Sequence, residues 1–255
     1  MQPTAYLVFE ESPRRVRALF GGMTVADSTH MMLLHESDRL PVYYFPREDV
    51  RTDLLAPSDS TSDDDRKGPA TYWHVRANGR IAEDAAVAYR DPPAGSPDLS
   101  GYVTFAWDAM DAWFEEDDEV FRHTRDPYHR VDVLNSSREI RVLVGGEPIA
   151  ETRRPRLLFE TGLPTRYYIP KLDVRMTLLT PSSKRTVCPY KGTASYWTAT
   201  IGGETYEDIA WSYEHPIVEC PKIEHLIAFF NEKVDIDVDG ERQERPHTIW
   251  SAAPG

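Results

Sequence analysis

Charged and apolar residues alternate along Arg15-Val-Arg-Ala-Leu-Phe20 and stop at Gly21-Gly22; the same alternation runs through Glu139-Ile-Arg-Val-Leu-Val144 and stops at Gly145-Gly146. A period of two puts every second side chain on one face of an extended chain, and glycine permits the tight reversal that follows. Each stretch therefore predicts a strand and its turn. Thr24-Val25-Ala26 and Pro148-Ile149-Ala150 supply the return strands of two hairpins. Pro41-Val-Tyr-Tyr-Phe45, Thr165-Arg-Tyr-Tyr-Ile169, Thr71-Tyr-Trp-His-Val75 and Ser195-Tyr-Trp-Thr-Ala199 are aromatic and β-branched enough to predict further strands. Pro46 and Pro170 mark strand ends, because proline has no N–H for a ladder, and Asn78-Gly79 and Gly202-Gly203 sit where hairpin turns are due. Helical patterns are few: residues 46–55 and 170–179 admit one or two turns or a strand, while Asp59-Ser-Thr-Ser-Asp-Asp-Asp65 reads as a solvated loop.

The whole pattern recurs at a constant offset of 124 residues. Arg17-Ala-Leu-Phe-Gly-Gly22 falls on Arg141-Val-Leu-Val-Gly-Gly146, Tyr43-Tyr-Phe-Pro46 on Tyr167-Tyr-Ile-Pro170, and Lys67-Gly-Pro-Ala-Thr-Tyr-Trp73 on Lys191-Gly-Thr-Ala-Ser-Tyr-Trp197. Between 17–111 and 141–235 there are 32 identities in 95 positions without a gap, against roughly one in sixteen by chance. A constant register over that length predicts a duplicated domain. The fold class expected is mainly β, with two tandem, similar, antiparallel β domains at residues 1–125 and 126–255. Because His123-Thr124 also matches His247-Thr248, the flanks of each core are expected to wrap around it.

Composition narrows the function. The longest apolar runs, such as Leu226-Ile227-Ala228-Phe229-Phe230, fall far short of the roughly 20 residues a membrane helix needs, so no membrane partner is expected. Lys plus Arg is 29 against 42 Asp plus Glu, a net charge of −13; that field repels a phosphate backbone, so no nucleic acid partner is expected either. Cys188 and Cys220 are the two cysteines of the chain, too few for a disulfide framework. With no basic-then-apolar opening, the expected location is cytoplasmic.

The boxes so far collected resemble two tandem copies of the family known as domain of unknown function 427. That pattern joins a Gly-Gly turn with Ala-Asp-Ser, Tyr-Tyr-Phe-Pro, Asp-Val, Cys-Pro-Tyr-Lys-Gly-Thr-Ala-Ser-Tyr-Trp and Ala-Trp-x-Tyr-x-x-Pro boxes and a late Phe. The first half has Gly21-Gly22, Ala26-Asp27-Ser28, Tyr43-Tyr44-Phe45-Pro46, Asp49-Val50, Lys67-Gly68, Tyr72-Trp73, Tyr89, Pro92 and Phe105. The second has Gly145-Gly146, Tyr167-Tyr168-Ile169-Pro170, Asp173-Val174, all of Cys188 to Trp197, Ala210-Trp211, Tyr213, Pro216 and Phe229. The first half departs with Asp64-Asp65-Arg66 in place of Cys188-Pro189-Tyr190 and Val87 in place of Trp211; the second has Glu151-Thr152 for Asp-Ser. The resemblance implies a Mss4-like, or β-tent, topology of two leaning antiparallel sheets. Several folds of that type hold zinc on four cysteines; two cysteines without a Cys-x-x-Cys pair do not make such a site, so no metal and no cofactor are expected.

Chemistry could reside in the repeated Lys-Gly step. Lys191, with its counterpart Lys67, offers an ammonium beside a glycine that allows close backbone approach, a setting for a phosphate, carboxylate or keto group, or equally a strand-end lysine paired with Asp173 or Asp49. Cys188, three residues before Lys191, is a candidate nucleophile with His215 or His225 as base, or a packed thiol. The expected ligand site is Tyr168, Asp173, Cys188, Lys191, Tyr196 and Tyr213, with first-half counterparts Tyr44, Asp49, Lys67, Tyr72 and Tyr89, the intact second box being preferred. Arg153, Arg154, Arg156, Arg166, Lys171 and Arg175 could guide an anion to it or merely balance surface charge. Three functions fit: a module binding a small anionic metabolite in an aromatic and lysine-lined pocket, an enzyme acting through Cys188 or Lys191, or a scaffold using its aromatic faces.

Overall fold

Both Gly-Gly stretches close hairpins in the computed structural model, which describes residues 6–37 and 39–251. The chain divides into two compact units, Met1–Asp126 and Pro127–Gly255. The first contains β1 (Leu7–Glu11), β2 (Val16–Phe20), β3 (Met23–Ser28), β4 (Met32–Glu36), β5 (Val42–Pro46), β6 (Leu55–Asp64), β7 (Gly68–Ala77), β8 (Arg80–Tyr89), β9 (Tyr102–Phe105), β10 (Ala112–Glu115) and β11 (Asp118–Val120). The second repeats them as β12 (Val131–Asn135), β13 (Ile140–Val144), β14 (Glu147–Thr152), β15 (Arg156–Glu160), β16 (Arg166–Ile169), β17 (Leu179–Cys188), β18 (Gly192–Ile201), β19 (Glu204–Pro216), β20 (Ile227–Phe229), β21 (Asp235–Val238) and β22 (Glu241–Arg242). Each starts within one residue of the 124-residue offset.

In the first unit a seven-stranded sheet runs β1-β4-β5-β9-β8-β7-β6 and a four-stranded sheet β11-β10-β2-β3; the second unit has the same two sheets with the corresponding strands. All named strands pair antiparallel, and their irregularities correspond too: the register shifts between Pro57 and Thr61 and between Trp73 and Val75 recur between Pro181 and Arg185 and between Trp197 and Ala199. The main core of each unit lies between its sheets. In the first unit Val16, Ala18, Phe20 and Trp113 of the small sheet meet Phe45, Val75, Val103 and Phe105 of the large one, and burial of such side chains stabilises by about 1.5–3 kcal/mol each.

Two local expectations change. Residues 59–65 are largely strand, as part of β6, because an edge strand with one ladder can carry polar residues along its solvent side; Ser58 and Ser60 also donate to Asp84 on β8, which anchors that strand. The ambiguous stretch after Pro46 forms two single 3-10 turns, Arg47–Asp49 and Thr52–Leu54, with counterparts Lys171–Asp173 and Met176–Leu178. These turns are fixed by their aspartates: Ser28 Oγ donates to Asp49 at 2.6 Å and Thr152 Oγ1 to Asp173 at 2.7 Å. The Ser-or-Thr and Asp-Val boxes thus tie the turn to the four-stranded sheet, reinforced by the bridges Ala26 to Val50 and Ala150 to Val174.

Candidate functional site

Alternation along the seven-stranded sheet gives it a second apolar face, away from the other sheet. In Tyr43-Tyr44 and Tyr167-Tyr168 the first ring enters the core between the sheets and the second goes to this outer face. Tyr196 likewise joins the outer cluster while Trp197 packs on the inner one. Both members of each aromatic pair are therefore used, and the face that receives Tyr44 or Tyr168 also receives the Lys-Gly step.

In the first unit Lys67, 5% exposed, extends its ammonium to Glu36 Oε2 at 3.1 Å and Asp64 Oδ2 at 3.0 Å, above the Tyr89 ring at 5.4 Å. Burial acts to lower the lysine's pKa, but its hydrogen bonds to Asp64 and Glu36 outweigh that and the net shift is upward. Glu36 also holds Arg66, and Arg39 at 3.5 Å. Gly68 is required here: at φ +81° a side chain would be strained, and a Cβ would lie 2.6 Å from the Arg90 carbonyl oxygen. In the second unit Lys191 donates to Glu160, which also contacts His129 Nε2 at 3.0 Å, and the His129 ring stacks on Tyr190 at 4.2 Å.

The expected site is thus brought together only in part. Tyr168, Tyr196 and Tyr213 share the outer cluster with Cys220, and burial raises the Tyr168 and Tyr213 phenols well above their usual range. Cys188 ends β17 and Lys191 follows two residues beyond Pro189. In the first unit Tyr44, Lys67 and Tyr89 gather similarly, and Tyr72 hydrogen bonds Ser62 just as Tyr196 does Thr186, both at 2.8 Å. Asp173 and Asp49 do not belong to this group. Their carboxylates are taken up by Thr152 and Arg154 and by Ser28, and the carboxylate that meets the lysine is Glu160 or Glu36 instead. Those two glutamates were missed, although they are identical residues at the same offset.

Neither histidine offered as a base for Cys188 hydrogen bonds to it: His215 and His225 are exposed, their rings 6.4 Å apart. Cys220 is buried, and that burial pushes its thiol up to about 11. The basic segment is neutralised locally, Arg153 by Glu139, Arg154 by Asp173, Arg166 by Glu232 and Arg175 by Glu147. No group of three or more His, Cys, Asp or Glu side chains placed to hold a metal ion occurs among the described residues, and none of their helices is long and apolar enough to cross a membrane.

The outer faces differ in how they are filled. In the second unit Trp211 lies 4.6 Å from Phe230, which meets Trp250 at 6.4 Å. The Arg166 guanidinium sits over both indoles, 5.6 Å from Trp211 and 5.3 Å from Trp250, and is held by two 2.7 Å bonds to Glu232. Thr248 donates to the same carboxylate at 2.5 Å, so the His-Thr flank does return to its core. At the corresponding places the first unit has Val87, Ala106, Val42 and Asp108. A cleft of about 430 Å³ lies there, bordered by Tyr44, Lys67, Val87, Thr104 and Asp108, with Arg122 and His123 of the other His-Thr flank on its edge. Thr104, paired across the ladder with Val87, is 7% exposed and its Oγ1 is buried without a hydrogen-bond partner; its counterpart beside Trp211 is Ala228, small enough to lie under the indole.

Compared with known families, the chain matches the model described as a domain of unknown function, DUF427, twice, over residues 8–116 and 132–240. No curated protein matches it.

Proposed function

Since the chain belongs to the DUF427 family through both of its halves, we propose that it is a small-molecule-binding protein whose ligand site is the outer cleft of the first unit. One observation carries this reading: a buried, unpartnered threonine hydroxyl borders an open, aromatic-walled cleft at the place where the sister unit is packed solid with its own side chains. Leaving a polar atom buried and unpaired costs about 1–3 kcal/mol, and turning the Thr104 side chain toward a ligand in the cleft would remove that cost. The volume suits a small metabolite. The preferred copy is thereby reversed from the sequence expectation, since an intact aromatic box is also one able to pack on itself. The enzyme alternative draws no support from Cys188, to which neither His215 nor His225 hydrogen bonds, or from Lys191, which is engaged by Glu160.

Installing the sister residue tests the reading. Val87→Trp should fill the cleft, so that a small-molecule mass retained by the wild type in native mass spectrometry after mild purification is lost, while Trp211→Val keeps it. A bound mass equally present in Val87→Trp would refute the location.

A further inference from the structure

We infer that the ligand is a zwitterionic aromatic molecule of the α-amino acid class, a step that rests on the cleft reading above. The charged groups bordering the cleft separate into two kinds. Glu36 and Lys67 neutralise each other within the buried network that Asp64, Arg66 and Arg39 complete. Asp108 and Arg122, both exposed, border the same cleft, and among the described residues neither has an ion-pair or hydrogen-bond partner from a side chain. One anion and one cation at the edge of an aromatic-walled hollow are complementary to an ammonium and a carboxylate at one end of a flat ring.

The second unit gives an independent view of the cationic half. Glu232 stands where Asp108 does, and it holds the planar cation of Arg166 against two indole faces. The first unit keeps the carboxylate but has Val42 in place of the arginine, so the position that the Arg166 guanidinium takes in the second unit is open to a ligand's cation. It also has no indole at 87 and no phenyl at 106, which leaves room for the ligand's ring. Arg122 has Pro246 as its counterpart: the unit that fills itself has no cation there, whereas the open one does.

Calorimetric titration of the full chain with L-tryptophan, L-tyrosine, tryptamine and indole-3-propionate separates the possibilities. At least one of the amino acids should bind, with tryptamine and indole-3-propionate each about tenfold weaker or more, the loss expected of one charge-assisted contact. Asp108→Asn and Arg122→Ala should each weaken the amino acid by a similar factor; both side chains are exposed and unpaired, so the variants should fold as the wild type does, which circular dichroism checks. Tryptamine or indole-3-propionate binding as tightly as the amino acids, or either substitution leaving their affinity unchanged, overturns the inference. So does silence from both amino acids. If the wild type then still retains a native mass that Val87→Trp loses, the ligand class alone is wrong; if Val87→Trp retains that mass, the cleft itself is.

Discussion

Two copies of one sheet carry the same buried lysine and glutamate on the same outer face, yet one face is closed by Trp211, Phe230, Trp250 and the Arg166 to Glu232 pair while the other is open. The lysine-glutamate pair is therefore common architecture, and what distinguishes the copies is side-chain volume and one carboxylate's partner. Trp to Val, Phe to Ala and Arg to Val at three neighbouring places change a packed face into a hollow. Dense interiors do not tolerate such deletions without a void or a replacement.

The largest expected effect comes from the closed face. Glu232→Gln strands the Arg166 guanidinium, whose side chain is 6% exposed, and should destabilise the second unit by about 3–5 kcal/mol, whereas Asp108→Asn should change stability by less than about 0.5 kcal/mol. Denaturant titration of both variants measures the contrast, and equal losses would break it. The same pair has a pH signature. Burial works to raise the Glu232 pKa, but Arg166 and Thr248 outweigh it and hold it below its ordinary 4.5. Its contribution is thus fully present above that pH and lost as pH falls through the lowered folded value. Glu232→Gln should flatten that part of the acid unfolding curve.

A smaller effect is expected from exchanging volumes. Trp211→Val should cost about 3 kcal/mol through the cavity it leaves, while Val87→Trp, which enters space already present, should cost less than about 1 kcal/mol. Comparable losses in thermal unfolding would mean the first face is as tightly packed as the second. Smallest, and confined to one unit, is the thiol contrast: Cys220, buried and shifted upward, should react with a thiol reagent at neutral pH only when the unit opens, well after half-buried Cys188. Mass-resolved labelling of the native protein gives the order, and simultaneous labelling would argue against a closed outer face.

Much of this architecture could be read directly. Period-two patterns and turn glycines identify the hairpins, and the constant offset identifies the duplication, because both follow from local geometry. Reading the outer face was harder. Glu36 and Glu160 lie 31 residues before their lysines, and their meeting depends on strand order, which spacing does not reveal. Asp173, in the repeated Asp-Val box, is a natural partner for the lysine by sequence, but a 3-10 turn carries it to Thr152 and the four-stranded sheet. Thr104 had no signal of its own; that its hydroxyl is buried without a partner is a product of packing, which a single threonine in a strand does not announce. The charged run at 59–65 suggested solvent rather than strand, since polarity cannot distinguish a loop from the solvent side of an edge.

The pairing of β10 with β2 has a consequence for how the chain reaches its fold. Trp113 on β10 lies opposite Ala18, far upstream, but the equivalent strand of the other copy, β13, follows much sooner in the sequence. Loop closure favours the nearer partner, so chain entropy alone draws β10 toward the wrong copy. Volume opposes it. Ala18 accepts a tryptophan, whereas Val142, at the matching place on β13, faces Ile236; an indole against that valine crowds the core. The large-with-small pair in one copy and the medium-with-medium pair in the other thus disfavour an exchange of strands between two related sequences.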